Sequence, residues 1–351
     1  MAEPVRLNGL IAMHASFKSF RWLPVFTIGL ALLTAACGKA PAPADAAATD
    51  ARWASLGERL FNDKSLSSDG RTNCASCHRP SQAFTDGLAT SVGAQGRTGT
   101  RNAPSLLDVA ELPQFFWDGR ESSLETVVLQ PLTNPVEMGL ASTEELVRRL
   151  ERTPQYAEAF KPLGGVSGES AAKALVAYLR TLRSGDSAYD RFVAGDRNAL
   201  GPDEQAGLAL FTGKAACNEC HVLQTPRARL TDDRFHHLGV NDDAIAGKVA
   251  TLIPRIADRK QLGRIVLTET DVAGLGHFVA SRKPADLAAF RTPSLRNVAL
   301  TAPYMHDGSV ATLNEAVEQE IYYRSLSKGL PVPLIVEERM QLIAFLNALS
   351  P

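Results

Sequence analysis

The five-residue pattern C-x-x-C-H occurs twice in this 351-residue chain, at 74–78 and at 217–221. It constrains the fold more than any other feature. Two closely spaced thiols followed at once by an imidazole fit three kinds of site: half of a zinc site, a redox dithiol, or the attachment point of a covalent haem. The rest of the sequence distinguishes among them.

Covalent haem attachment explains the histidine as well as the two thiols in each copy. In a c-type site the thiols bond to the haem vinyl groups, and the adjacent imidazole binds the iron. A zinc site made from both pairs would need a spacing far beyond that of zinc motifs, and no βαβ pattern suggests a thioredoxin-like dithiol. We therefore predict two haem c groups, attached through Cys74 and Cys77 with ligand His78, and through Cys217 and Cys220 with ligand His221.

The N-terminal segment has the pattern of an export signal. Basic residues precede an apolar run at 23–33, which is too short to span a membrane, and the small residues "TAAC" follow it. This "TAAC" resembles a bacterial lipobox, and an Ala/Pro-rich stretch comes after it. We expect a periplasmic protein with a lipoprotein-type signal peptide at 1–36, a lipid anchor to the outer membrane at Cys37, and a tether at 37–52.

Charge excludes one class of partner. The chain has 37 basic and 38 acidic residues, with no basic patch of the kind that binds nucleic acid. No nucleic-acid partner is expected.

Two segments of the chain repeat one another. The pattern G-x-x-L-F-x-x-K precedes both cysteine pairs, and 103–128 aligns with 292–317 without gaps, with Trp117 opposite His306. Amphipathic helical spacing dominates elsewhere, for example at 171–182 and 337–350, while "FHHLGV" and "GRIVLT" suggest short extended pieces. The sequence predicts a mostly α fold, internally duplicated, with two cytochrome c-like haem domains facing each other at 53–186 and 187–351.

The motifs "RNAPSLLD", "FFWDGR", "NPVEMG" and "RTPSLRNVALTAPYMHDG", together with the two C-x-x-C-H sites, resemble the bacterial dihaem cytochrome c peroxidase and MauG-like family. The resemblance implies that the N-terminal haem reacts with peroxide and that the C-terminal haem transfers electrons. No histidine occurs between 79 and 220, where many family members carry a distal ligand. This departure implies an iron above His78 that is open without reductive activation.

The resemblance also implies roles for residues outside the haem motifs. Glu137 of "NPVEMG" matches the distal carboxylate of the family, and Trp117 of "FFWDGR" matches its electron relay between the haems. The family's distal glutamine has no counterpart, since Val127 stands there. The positions that bind a calcium ion in the family correspond to Asn102, Thr301 and Pro303.

The sixth ligand of the second iron is left open among three residues. A count without gaps from Thr301 places Glu320 where the peroxidases have methionine and MauG-like enzymes have tyrosine. Tyr322 takes that place if two residues are inserted, and Met305 is a third alternative. His236 and His237 are expected to be pocket or surface residues, and His277 has no assigned role.

The leading functional prediction is a peroxidase that reduces hydrogen peroxide to water with electrons from a periplasmic cytochrome c or cupredoxin. The alternatives are a MauG-like dihaem oxidase that modifies a side chain of a partner protein, and a non-catalytic dihaem electron carrier. A homodimer is left open.

Overall fold

Most of the chain is helical in the computed structural model, which describes residues 43–223, 227–240 and 242–351. The predicted signal peptide at 1–36 and Cys37 lie outside the described residues. Within those ranges, no helix is both long and apolar enough to cross a bilayer.

The helices are mostly short, and the two strands form a single antiparallel pair. The α-helices in chain order are α1 (Pro43–Asn62), α2 (Cys74–Cys77), α3 (Leu124–Val127), α4 (Gln130–Thr133), α5 (Thr143–Arg152), α6 (Pro154–Phe160), α7 (Gly168–Leu179), α8 (Ala188–Val193), α9 (Pro202–Thr212), α10 (Asp242–Ile245), α11 (Val249–Leu252), α12 (Leu262–Thr268), α13 (Thr270–Gly274), α14 (Phe278–Ser281), α15 (Leu313–Lys328) and α16 (Val336–Asn347). The strands are β1 (Phe235–His237) and β2 (Ala289–Arg291), with His236 opposite Phe290.

Helix α1 begins earlier than the sequence predicts. The segment 37–52 is predicted to be a tether, but the helix already starts at Pro43. Alanine has the highest helix propensity, so the Ala-rich part of this segment extends α1 toward the N-terminus. Residue 53 is therefore not a structural boundary.

The first hydrophobic core lies where α1 packs against α7. Trp53, Leu56 and Leu60 recur at three- and four-residue spacing on α1 and are almost fully buried. Leu175 and Leu179 of α7 belong to the same core. The helix predicted at 171–182 is thus confirmed as α7.

The second core lies where α9 packs against α16. Phe211 and Phe345 are buried, with ring centroids 5.2 Å apart, and Leu342 joins them. The helix predicted at 337–350 is confirmed as α16. Residues 43–351 belong to one compact unit, and the domain boundary between 186 and 187 stays a prediction.

Both helix pairs approach each other at a glycine from the repeated G-x-x-L-F motif. A Cβ atom at Gly57 would overlap the Ala174 carbonyl of α7, and one at Gly207 would overlap the Gln341 carbonyl of α16. Neither carbonyl can move without breaking its own helix. The repeated glycine is therefore required by the close packing of each helix pair.

Replacing Gly207 with alanine is expected to lower the free energy of unfolding by about 1–3 kcal/mol, because α9 and α16 must separate. The urea midpoint of the haem-loaded protein, followed by circular dichroism, measures this. Gly99→Ala is the control, since a Cβ there meets only ordinary contacts at 3.6 Å or more. Equal midpoints for the two variants would contradict the packing argument.

A third core, built from α10 to α14, includes one segment for which the prediction is wrong. "GRIVLT" is predicted to be extended, but it lies in α12. Leu262 and Val266 of α12 are buried at four-residue spacing, and that burial favours a helix over the β-propensity of the run. "FHHLGV" does contain a strand, β1.

The backbone repeats itself in the two aligned segments. Phe116 and Met305, at equivalent positions, both have positive φ, at 65° and 70°. Asp108 and Asn297, which are also at equivalent positions, have positive φ as well, at 56° and 61°. An isolated bridge closes the equivalent turn in each segment: Phe115 with Glu121, and Tyr304 with Val310.

Candidate active site: two CxxCH centres and a buried carboxyl

The first C-x-x-C-H motif forms the short helix α2, which Asn73 caps. His78 follows at the helix end, and its Nδ1 lies 2.9 Å from the Phe84 carbonyl oxygen. A carbonyl can only accept, so Nδ1 carries the hydrogen and Nε2 is the nitrogen that can bind a metal. Burial lowers the pKa of His78, which keeps the imidazole neutral as an iron ligand must be.

The second motif repeats this arrangement. Cys217–Glu219 form a 3₁₀ turn, and the Nδ1 of His221 lies 2.9 Å from the Leu230 carbonyl oxygen. Burial lowers the pKa of His221 to about 4. Each motif therefore presents a neutral imidazole in one fixed tautomer.

The cysteines do not have the properties of a redox dithiol. Burial raises the pKa of Cys74 to about 12 and that of Cys77 and Cys217 to about 11. Reactive dithiols instead need a lowered pKa that yields thiolate.

The arrangement does not form a zinc site from the two pairs either. The described residues contain one group of three candidate ligands whose donor atoms lie within 4.8 Å of one another, and it joins Cys220 to Asp232 and His236. The first cysteine pair takes no part in it.

A cavity beside the second motif fits a haem. It has a volume of about 350 Å³, and Cys217, Cys220 and His221 all line it. The remaining wall is mainly apolar, as a porphyrin face requires. Its apolar lining includes Phe211, Leu295, Val298, Leu342 and Leu346.

The three candidates for the sixth ligand of the second iron differ in position. Glu320 of α15 and Met305 both line the cavity that holds His221. Burial raises the pKa of Glu320 to about 7, opposed by the nearby Arg324 guanidinium. Tyr322 is 59% exposed and is not part of the cavity wall.

Glu137 lies at the first motif, on the loop that follows α4. Its charge would raise the pKa of both Cys74 and Cys77, so the carboxyl lies within electrostatic range of the two thiols. Burial raises the pKa of Glu137 to about 7, opposed by the Arg120 guanidinium. This carboxyl can therefore gain or lose a proton near neutral pH.

Trp117 lies beside the second motif and is held by hydrogen bonds at both its side chain and its main chain. Its indole Nε1 donates to the Asn102 carbonyl oxygen at 2.9 Å, and its own carbonyl accepts from the Arg291 amide at 2.9 Å. It lines the cavity of the second motif. The residues matched to the calcium site, Asn102, Thr301 and Pro303, line the same cavity.

Charged and polar groups to which the sequence analysis gave no role lie around Asp118, the residue that follows Trp117. Asp118 is fully buried between Arg120, at 2.8 Å, and Arg101, at 3.9 Å. His277 donates from Nδ1 to the Asp118 carbonyl at 2.8 Å and stacks on Phe235. Arg120 belongs to "FFWDGR", so the motif could have indicated it, but no local pattern links His277 to this turn.

The remaining histidines lie in or near the cavity of the second motif. His236 lines the cavity and bonds to Asp232 at 2.8 Å, whereas His237 is exposed and pairs with Asp242. His306, which aligns with Trp117, is buried in the cavity wall and stacks on Phe290.

A mostly helical fold with two C-x-x-C-H centres and a buried carboxyl beside one of them defines a dihaem c-type redox protein. The model of the di-haem cytochrome c peroxidase family matches residues 51–198. The chain is 36% identical to the methylamine utilization protein MauG of Methylorubrum extorquens, over 84% of this chain and 77% of the relative. It is 34% identical to the cytochrome-c peroxidase IdrP2 of Denitromonas iodatirespirans, over 92% and 90%.

Solved structures agree with these relatives. The crystal structure of a MauG-like protein associated with microbial copper homeostasis matches with a TM-score of 0.68 at 33% identity, covering 85% of this chain and 89% of that one. The chain belongs to the di-haem cytochrome c peroxidase and MauG family. It is a peroxidase-type oxidoreductase with two haem groups.

Proposed function

We propose that this protein reduces hydrogen peroxide to water at the centre formed by Cys74, Cys77, His78 and Glu137. The observation that carries the proposal is the Glu137 carboxyl, which lies within electrostatic range of both cysteines of the first pair and whose pKa is raised by burial to about 7. An electron carrier would have no need of a proton-exchanging group there. The reaction consumes two electrons and two protons for each peroxide and yields two waters.

Glu137 supplies the proton transfer. Peroxide loses the proton on its inner oxygen as it binds and needs one on its outer oxygen to leave as water, so one carboxylate can accept the first and return it to the second. A bound haem supplies the electrons for breaking the O–O bond. A carboxyl with a pKa near 7 suits this exchange because both its forms are accessible at neutral pH.

The second centre takes up electrons from a small donor protein, a periplasmic cytochrome c or cupredoxin, and Trp117 relays them to the first. Two observations support this route: Trp117 lines the cavity of the second motif, and its indole hydrogen bond fixes its orientation. The equivalent backbone conformations in 103–128 and 292–317 support an internal duplication with one haem unit in each half.

A second candidate function is that of a MauG-like oxidase that modifies a side chain of a partner protein. The presence of Glu320 in the cavity with His221 favours it, because an anionic oxygen ligand stabilises the oxidised states of iron. Reduction by the donor protein and oxidation of the partner's side chain would then compete for the oxidising equivalents that peroxide leaves on the two haem centres.

The protein's surroundings complete the proposal. We infer a periplasmic location with a lipid anchor at Cys37, and a calcium ion bound through oxygen atoms of Asn102, Thr301 and Pro303. All three line the cavity beside the second motif, which supports the calcium site. A homodimer stays a prediction from the sequence.

Steady-state peroxide reduction by the mature protein, with a reduced small cytochrome c as donor, tests the proposal. We expect turnover whose kcat/KM for peroxide rises with pH through about 7 and then levels, because the carboxylate form of Glu137 accepts the first proton. The pyridine haemochrome assay should give two haems per chain. A protein that holds two haems but turns over no peroxide at any pH would refute the peroxidase proposal, and the non-catalytic electron carrier would remain as the explanation.

A further inference from the structure

One chain segment, between the first haem motif and "RNAPSLLD", contacts both the His78 imidazole and the main chain of Glu137. The Phe84 carbonyl accepts from His78 Nδ1 at 2.9 Å. Further along, the Ala94 amide donates to the Glu137 carbonyl oxygen at 2.6 Å. The His78 imidazole and the Glu137 main chain are thus held by the same segment.

The contact with Glu137 is unusually close at Gly93. This glycine is buried, and a Cβ there would overlap the Val136 carbonyl oxygen and lie 2.6 Å from the Glu137 carbonyl oxygen and 2.8 Å from its Cα. Its φ of −92° is open to any residue. Glycine is therefore required here for space and not for backbone conformation.

A third residue of the segment holds the Glu137 loop at its start. Arg97 donates from Nη1 to the Pro135 carbonyl oxygen at 3.1 Å and also binds Gln95. We call Gly93, Ala94 and Arg97 the Glu137 clamp.

The other side of the Glu137 loop is held independently. The Asn134 side chain accepts from the Val136 amide at 3.2 Å and donates to the Gly263 carbonyl at 3.1 Å. The main chain of the Glu137 loop is therefore held by Asn134 on one side and by the clamp on the other. A change in the distance between Gly93 and the Glu137 main chain would shift Glu137.

We propose that the Glu137 clamp is a positioning element for catalysis. It sets the distance of the Glu137 carboxyl from peroxide bound above His78, and it links that distance to the position of His78 through Phe84. The inference rests on the proposed role of Glu137.

Gly93→Ala tests the clamp because its methyl group pushes the Glu137 main chain without straining φ. We expect kcat to fall about 10- to 100-fold, since a displacement of about 1 Å can cost that much, while KM for the donor protein is unchanged. Gly96→Ala is the matched control. It strains the same loop at φ +72° but meets nothing within 4 Å, so kcat should stay within about twofold.

A readout without turnover separates positioning from general damage. Hydrogen cyanide must lose its proton as it binds ferric haem, so its association rate also reports on Glu137. Gly93→Ala should slow this rate about tenfold with two haems per chain retained. If Gly93→Ala fails to mature, Arg97→Ala gives a milder test: a two- to fivefold slowing, largely restored in Arg97→Lys, which keeps a donor for the Pro135 carbonyl.

The double variant Gly93→Ala/Glu137→Gln decides between the hypotheses. If the clamp acts through Glu137, the double variant should be no slower than Glu137→Gln alone. Additive losses, or a cyanide rate in Gly93→Ala equal to that of the control, would overturn the clamp and leave the peroxidase intact. A Glu137→Gln variant with unchanged turnover would instead refute the proposed role of Glu137 itself.

Discussion

Replacing Glu137 with glutamine is expected to lower kcat/KM for hydrogen peroxide by about 10²- to 10⁴-fold, the usual contribution of a well-placed acid–base group. Glutamine keeps the size and a hydrogen-bonding oxygen but cannot take up the proton that peroxide loses on binding. Stopped-flow mixing of the oxidised protein with peroxide measures the loss directly. The rise of activity with pH near 7 should disappear with the carboxyl.

The comparison needs a carboxylate whose charge is removed without touching the site. Glu158 on α6 is exposed, so Glu158→Gln should leave the peroxide rate unchanged. Both variants should keep two haems and the same reduction potential at the second centre. A peroxide rate in Glu137→Gln within threefold of the unaltered protein would remove Glu137 from the mechanism.

The presence of two haem groups was predictable because the C-x-x-C-H pattern that indicates them is local. Cysteine, cysteine and histidine lie within five residues, and the structure adds only the carbonyls of Phe84 and Leu230 that orient each imidazole. The two packing helices were equally predictable, since the spacing of their apolar residues is itself local.

The environment of Glu137 could not be predicted from the sequence, because its neighbours are distant in the chain. Its carboxyl lies within electrostatic range of cysteines about sixty residues away in the chain. The clamp at Gly93 and Ala94 is formed by backbone atoms, which leave no side-chain pattern. The error at "GRIVLT" has a related cause, because burial in the third core decided a conformation that β-propensity alone favoured wrongly. Both features depend on packing between residues that are far apart in the chain, and a local residue pattern does not contain that information.

At the second centre, Glu320→Met is expected to raise the haem reduction potential by on the order of 100 mV or more. A thioether stabilises ferrous iron, whereas a carboxylate stabilises the ferric form, and axial ligands span about 0.8 V in haem proteins. Spectroelectrochemical titration measures the shift. A sulfur-to-iron charge-transfer band should appear in the near infrared only in the variant.

The two other candidates provide the controls for that assignment. Tyr322→Phe should leave the potential unchanged, because this side chain is 59% exposed and does not line the cavity. Met305→Leu should also leave it unchanged if Glu320 is the ligand. If the unaltered protein shows the sulfur-to-iron charge-transfer band and Met305→Leu abolishes it, Met305 is the sixth ligand of the second iron. A large shift in Tyr322→Phe would require α15 to turn its exposed face toward His221 when haem is bound, and it would exclude Glu320.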